Sequence, residues 1–321
     1  MSTGRIVLFG RLGFVGSNLL KYLDDPDIVA PSEFDADLTA TESLRPVIQP
    51  GDVVINAAGY ANATDRTARG RALFQAVNVG GLANLAQVCA EAGAAQLVHI
   101  SSVAAMGRWH ALRPFDKLRA QDDGITEDTM RPVTSPYAAS KLEGERLLAG
   151  FSDRLGITVL RPTSVFGEGR GLAKTLCSFV RRGVVPLPGG GTASIPFTYV
   201  GNVAHAVRLT LGNQRCFGRT FIVGDEESYP LREIVLALSK GMGKRVRIVW
   251  APRALWYAAA IGFEAWARLR GSPPLLDRGR LDTMTDCVSY SIAAFREATG
   301  YAPPFSLDEA AGRIAAWYLR A

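Results

Sequence analysis

Cysteine is scarce in this 321-residue chain. The four that occur, Cys89, Cys177, Cys216 and Cys287, show no C-x-x-C spacing, which sets aside zinc ribbons, dithiol redox motifs and a disulfide-stapled scaffold. Histidine is scarcer still. His99, His110 and His205 are too dispersed to supply a metal cluster, so no metal is expected. No apolar run approaches the roughly 20 residues that a bilayer span requires, and the most apolar stretch, Ala254 to Phe263, is about half that length. Such a segment does not cross a membrane, although it can rest on one. No basic-then-apolar leader precedes the first strand-like run at Arg5, which together with the cysteine usage points to a reduced, cytoplasmic setting. Internal repeats and low-complexity segments are also missing.

Charge is not concentrated either. The formal net charge is +6, but the 36 Lys and Arg are scattered, and the densest group is Arg268, Arg270, Arg278 and Arg280. No basic stripe with interleaved aromatics accompanies them, so nucleic acid is not an expected partner. A small molecule bearing phosphate suits the balance equally well. What the chain does have is 48% hydrophobic and 21% charged residues, the composition of a globular protein with ample core. Its length lies where a single core stops growing, so two lobes sharing a cleft are expected.

The first half alternates short β-branched runs with helical patterns. Ile6 to Phe9, Asp52 to Ile55, Leu97 to Ile100 and Thr158 to Leu160 read as doubly buried strands, with Thr220 to Val223 as a later one. This rhythm predicts an α/β fold with a doubly wound parallel sheet, covered on both faces. The rhythm breaks after Phe166, at the Gly-rich stretches 167–171 and 189–191. The predicted division is therefore a dinucleotide-binding domain over 1–167 with about 197–224, and a smaller, mostly helical substrate lobe over about 168–196 with 225–321. In that lobe Ser291 is placed to cap a helix ending at Gly300, and Ser306 with Glu309 forms a capping box.

The strand Arg5 to Phe9 runs straight into Gly10-Arg11-Leu12-Gly13-Phe14-Val15-Gly16, followed by a helical pattern. Glycines so spaced let the chain turn sharply and let backbone N–H groups approach a pyrophosphate at a helix N-terminus. All seven residues are candidate cofactor contacts. An acidic residue at the end of the second strand ordinarily selects NAD over NADP. Here Ile28 to Ser32 reaches no acid before Glu33 or Asp35, while Arg11 offers a guanidinium to a phosphate. NADP is thus preferred over NAD, with Ser32 beside the adenosine ribose.

Further along, Ser135 and Pro136 read as N-cap and first residue of a helix, on which Tyr137 and Lys141 fall one turn apart on a single face. An ammonium beside a phenol favours the phenolate, so the pair is a candidate proton-handling unit. Ser101 and Ser102 lie just past the strand Leu97 to Ile100, at the sheet edge where such folds bind ligands. Ser102 is placed to donate to a substrate carbonyl oxygen while Tyr137 moves the proton.

With glycine loop, Ser102 and Tyr137-Ala-Ala-Ser-Lys141 in this order, the chain resembles the extended short-chain dehydrogenase/reductase family, also called the NAD-dependent epimerase/dehydratase family, over nearly its whole length. The resemblance implies a Rossmann fold, hydride exchange at a carbinol or ketone carbon, and Ser102, Tyr137 and Lys141 as catalytic residues. It implies further cofactor contacts at Asp37 and Leu38 (adenine), at Ala57, Ala58 and Gly59, at Asn78, at Tyr137 and Lys141 themselves, and at Pro162 and Val165 beside the nicotinamide. A homodimer through the helix carrying Tyr137 is common in the family.

Departures from the family pattern narrow the substrate. Val103-Ala104 follows Ser102 where dehydratases need an Asp-Glu pair. Met106 replaces a frequent tyrosine. Ile195 stands near the position where sugar-nucleotide enzymes often carry an arginine, and Phe197 to His205 is similar to the 3β-hydroxysteroid dehydrogenase branch. The first reading is a reductase or epimerase of a nucleotide-activated sugar, supported by Asp37-Leu38-Thr39 and the Asn56 segment. The alternatives are a dehydrogenase of a sterol-like or other apolar alcohol, and a catalytically silent NAD(P)-binding subunit. The aromatic stretch Trp256, Tyr257, Phe263 and Trp266 is expected to pack as core of the smaller lobe, ahead of walling a hydrophobic substrate or meeting a membrane surface.

Overall fold

Strand β1 (Ile6–Phe9), β2 (Val53–Asn56), β3 (Gln96–Ile100) and β4 (Gly156–Pro162) lie side by side in that order and are followed by the strand Arg219–Val223, every pair parallel. The computed structural model describes residues 4–107, 124–169, 171–272, 274, 276–285 and 288–320. His110 and Cys287 lie outside the described residues. The expected parallel, doubly covered sheet is present, and nearly all its strand positions are buried, as apolar runs without alternation require.

The predicted second strand at Ile28 to Ser32 shrinks to one bridge on the far side of β1. Val29 donates to the Ile6 carbonyl at 2.9 Å and accepts from the Leu8 amide at 2.8 Å. Pro26 and Pro31 bracket this segment, and neither can donate to a ladder, so pairing stops after a single residue. The chain therefore lies on both sides of β1, which makes the carboxyl end of β1 the switch point of the sheet.

Two apolar layers cover the sheet. On one face Leu8, Ile55, Val98 and Phe221 pack with Leu19, Val207 and Phe295. On the other, Val7, Val54, Leu97 and Val159 pack with Leu82, Leu85, Cys89 and Leu148. Leu85 is fully buried, so truncating it to Ala would cost about 2–5 kcal/mol. The helix bearing Leu85 belongs to a continuous helical segment, Ala68–Ala92, long and apolar enough by length and composition to cross a bilayer. Half of its apolar window is buried, and Leu82, Leu85, Ala86, Val88 and Cys89 are the side chains it presses on the sheet. The Ala254 to Phe263 stretch is thus not the chain's most span-like segment.

A third apolar cluster forms the smaller lobe, where Leu176, Val180, Ile234, Leu238 and Ile314 interlock from the helices Leu172–Arg181, Leu231–Gly241 and Leu307–Arg320. The expected capping box opens the last of these. Ser306 N donates to Glu309 Oε2 at 2.8 Å, and Glu309 N donates back to Ser306 Oγ at 3.4 Å. The helix Ala293–Thr299 closes at Gly300 in the left-handed region, but Ile292 holds its cap position, one residue beyond the expected Ser291, whose Oγ accepts from Ala293 N at 3.4 Å. This helix, however, packs on the sheet: Phe295 meets Phe221 with ring centroids 5.3 Å apart. The apolar face of residues 292–301 is therefore buried in the core of the first domain, across the boundary expected from sequence.

The two parts are tied at the far end of helix α1 (Phe14–Leu23). Lys21 Nζ and the Tyr22 hydroxyl donate to Glu168 Oε1 at 2.7 and 2.8 Å, Tyr199 donates to Glu168 Oε2 at 2.9 Å, and Asn18 Nδ2 donates to the Glu168 carbonyl at 3.0 Å. Burial alone would raise the Glu168 carboxyl, but these donors hold it below its ordinary value.

One sequence expectation fails outright. The aromatic helix Arg253–Arg270 is not core: Trp256 and Tyr257 are half-buried, whereas Trp266 is 51% exposed and only Ala260 and Ala267 are buried. Aromatic content signalled burial, yet the helix presents much of it outward.

Candidate active site

The glycine loop sits at the switch point. Gly10 adopts φ +92°, and a methyl placed on it would lie 2.5 Å from the amide nitrogen of Ala58, while a methyl on Gly16 would overlap the Gly10 carbonyl oxygen. Only hydrogen at both positions lets α1 close on the strand end. Gly13 caps α1 without a side-chain hydrogen bond, and no acid occupies the first turn, so the helix's own residues leave its positive end unoffset. Arg11 and Leu12 stand exposed on the loop, and Phe14 and Val15 begin the helix. This cradle fits a dinucleotide pyrophosphate.

From the loop, contact passes directly to the chemistry. Gly10 abuts Ala57 and Ala58, and a methyl on Gly59 would lie 3.8 Å from Lys141 Nζ and 3.0 Å from Asn78 Oδ1. Lys141 projects from the helix Pro136–Ala149, which starts as expected: Ser135 Oγ accepts from Ala138 N at 3.1 Å, with Pro136 in the first turn. Lys141 Nζ donates to the Ile100 carbonyl at the end of β3 at 2.9 Å. One turn back, the Tyr137 phenol neighbours Ser102, which itself caps the short 3₁₀ turn Val103–Met106 by accepting from Ala104 N. Ser102 and Tyr137 face one cavity of about 360 Å³, shared with Val103, Thr163, Ser164 and Pro196.

Burial pushes the Tyr137 phenol above its ordinary value, and the Ser102 contact opposes it. Burial pulls the Lys141 ammonium down to about 8, against the pull of the Glu145 carboxylate. The lowering of the phenol by the lysine, expected from their spacing, is thus not what this arrangement produces. The ammonium is engaged by the Ile100 carbonyl, and desolvation dominates at the phenol. A phenol so placed can give a proton to a carbonyl oxygen. Ser102 is placed to donate a second hydrogen bond to the same oxygen. A nicotinamide dinucleotide, when bound, supplies or accepts the hydride.

Several expected cofactor residues take other duties. Asn78 donates through Nδ2 to the Tyr60 carbonyl and to Ser140 Oγ, both at 3.0 Å, and accepts at Oδ1 from Tyr60 N at 2.7 Å. Its amide is saturated by the protein, so it braces the Gly59 segment against the catalytic helix and has no hydrogen left to offer a ligand. Ser32 donates through Oγ to Asp35 Oδ2 at 2.6 Å and through its amide at 3.1 Å, so its hydroxyl proton is taken by that acid. Asp37 accepts from Thr39 N at 2.8 Å, and the Leu38 side chain is core. Pro162 is buried at the end of β4 and Val165 half-buried beyond it. Met106 and Ile195 are fully packed in the core, so neither side chain reaches substrate, and the neighbouring Gly107 and Pro196 line the cavity instead. Val103 and Ala104 line it where a dehydratase needs acids. His99 is buried as expected, with Nδ1 3.3 Å from Asn56 Nδ2.

Behind the site lies a buried ion pair that sequence reasoning missed. Arg161 Nη2 meets Glu145 Oε2 at 2.7 Å, Ser101 donates to Glu145 Oε1, and Arg161 Nη1 donates to the Glu127 carbonyl at 3.0 Å. Tyr137, Lys141 and Glu145 recur every fourth residue on one helix face. A charged residue continuing a buried stripe was the available signal.

Fold and site define a dinucleotide-dependent oxidoreductase of the extended short-chain type. The model of the NAD dependent epimerase/dehydratase family matches residues 6–224, and the chain belongs to that family. It is 30% identical to 2-alkyl-3-oxoalkanoate reductase of Stenotrophomonas maltophilia, over 76% of this chain and 74% of that one. It is 25% identical to UDP-glucose 4-epimerase of Vibrio cholerae, over 98% and 96% of the two chains. Among solved structures, RMD from Pseudomonas aeruginosa complexed with NADPH superposes with a TM-score of 0.73 at 21% identity, covering 98% of this chain and 99% of that one.

Proposed function

We propose that the protein reduces the ketone, or oxidises the corresponding secondary alcohol, of an apolar substrate, with NADP(H) as its preferred partner. The observation that carries this reading is the cavity faced by Ser102 and Tyr137, whose further walls include Ala104, Pro196, Val288 and Tyr290. Ala104, Pro196 and Val288 gain by excluding water from an alkyl or ring surface, while Thr64, Arg66, Thr134, Ser135, Thr163, Ser164 and Asp277 on the same lining offer hydrogen bonds to the polar groups of a substrate. The likeness of Phe197 to His205 to the 3β-hydroxysteroid dehydrogenase branch agrees, as does the alkyl-bearing substrate in the name of the Stenotrophomonas relative.

A second reading, reduction or epimerisation of a nucleotide sugar, rests on an adjoining cavity of about 850 Å³ that shares Thr64, Arg66, Asp277 and Gly279 with the first. Arg66, Arg268 and Arg278 line it, but so do Asp65, Glu264, Asp277 and Asp282. Diphosphate would gain from the first set and be repelled by the second, which ranks this reading below the apolar one. A silent subunit is disfavoured because Ser102, Tyr137 and Lys141 are all retained.

NADP is favoured by Arg11, exposed beside the Ser32–Asp35 corner, and a homodimer through the Pro136–Ala149 helix belongs to the same proposal. The deciding experiment follows NADPH and NADH oxidation across 3-oxoacyl compounds, steroid ketones and keto-sugar nucleotides. Turnover confined to the keto-sugar nucleotides would overturn the apolar reading, and no turnover with any of them would overturn both.

A further inference from the structure

A surface helix ordinarily turns its polar side to water, and Arg253–Arg270 does the reverse. Its inward stripe is Trp256, Tyr257, Ala260, Glu264 and Ala267, and Glu264 is held there by Arg278 at 3.0 Å. With about 100° between successive residues, the opposite arc carries Leu255, Trp266 and Leu269 among alanine and glycine, and Ile261 and Phe263 stand at the two flanks of the inward stripe. These five side chains are 37–88% exposed. Between Arg253 and Arg268 the helix has no charge except the inward Glu264. Cations stand at both ends, Arg253 at one and Arg268 and Arg270 at the other, and the Arg270 guanidinium lies 4.3 Å from the Trp266 ring centroid.

We propose that this face seats on an anionic bilayer surface, with the helix lying in the headgroup plane. Leucine enters the acyl boundary, the Trp266 indole suits the headgroup level, and Arg270, stacked on that indole, meets lipid phosphate, while Arg253 at the other end is engaged by the Thr285 carbonyl. Charge selects this occupant over a second copy of the chain. A two-fold pairing across the helix would set the arginines of one copy against those of the other, with no outward carboxylate to offset them, whereas anionic headgroups neutralise them. The docking does not depend on which substrate the site takes.

Cosedimentation of the full chain with vesicles tests it, comparing phosphatidylcholine alone with phosphatidylcholine containing phosphatidylglycerol. The protein should pellet with the anionic vesicles only and be released by salt, and Arg270→Ala should weaken binding about fivefold. Leu255→Glu with Leu269→Glu should abolish it at an unchanged melting temperature, since neither leucine contributes to the core. Absence of pelleting, equal pelleting with both vesicles, or pelleting that survives the double glutamate variant each overturns the proposal. So does a dimer, seen by analytical ultracentrifugation, that the glutamates dissociate without any vesicle binding.

Discussion

Lys141 Nζ donates to the Ile100 carbonyl oxygen at 2.9 Å, so a buried ammonium fastens the catalytic helix to the end of β3. Holding that charge away from water costs stability. Its pKa, pulled from 10.5 to about 8, means the unfolded chain binds the proton more tightly. Stability therefore rises as pH rises from about 8 to about 10.5, and below that window the full penalty, on the order of 3 kcal/mol, is in force. Lys141→Met should melt at a higher temperature than the parent at pH 7, with the advantage fading above pH 10, and should lose turnover. A variant that melts lower at pH 7 would show that the ammonium stabilises the fold.

Tyr137→Phe removes the proton and keeps the ring. Turnover should fall by about 10²–10⁴, while cofactor affinity stays within about threefold, because the phenol acts on the substrate oxygen. Cofactor titration by fluorescence and steady-state rates separate the two effects. An equal loss in both would mean that the residue holds the dinucleotide instead.

Gly16→Ala drives a methyl into the Gly10 carbonyl, with no flexible side chain to give way. The loop must open, and dinucleotide affinity should drop by about tenfold or more while the sheet, whose core lies elsewhere, retains its circular dichroism. Unchanged affinity would remove the glycine loop from the binding site.

Arg161→Met leaves Glu145 buried without its partner, and a loss of about 3–5 kcal/mol is expected by denaturant titration. Replacing Glu145 with Gln in the same chain should recover much of it, since no unpaired charge then remains. In the single Glu145→Gln variant the carboxylate that pulls Lys141 upward is gone, so the lysine limb of the pH–rate profile should move to lower pH.

Arg11→Ala tests the cofactor preference. Loss of one exposed guanidinium facing a phosphate should weaken NADPH by about tenfold and leave NADH nearly untouched. Equal effects on the two would assign Arg11 to the pyrophosphate they share.

What was legible in the sequence was local. The glycine loop, the Ser135-Pro136 start and the Ser306–Glu309 box are each written within a few consecutive residues, where chain geometry fixes who meets whom. The Ile28 segment was misjudged because β-branched residues announce a strand whether or not flanking prolines let it pair. Asn78 was assigned to the cofactor, yet its partner Tyr60 is 18 residues away and nothing in the spacing reveals that their groups saturate each other. Glu145 with Arg161, and Glu168 with Lys21, emerge only once the chain is folded. The outward arc of Arg253–Arg270 was hidden by composition, since aromatic residues carry no mark of which way they will point.

The first helix bears on both ends of the catalytic cycle. Its amino end supplies the cradle of the glycine loop, and its carboxyl end grips Glu168 through Lys21 and Tyr22. A single ten-residue rod thus carries the glycine loop at one tip and is pinned to Glu168 at the other. The two cannot be realigned separately, and chimaeras that exchange the lobe between relatives will need to bring a matching residue 168 or a new hinge pin for this rod.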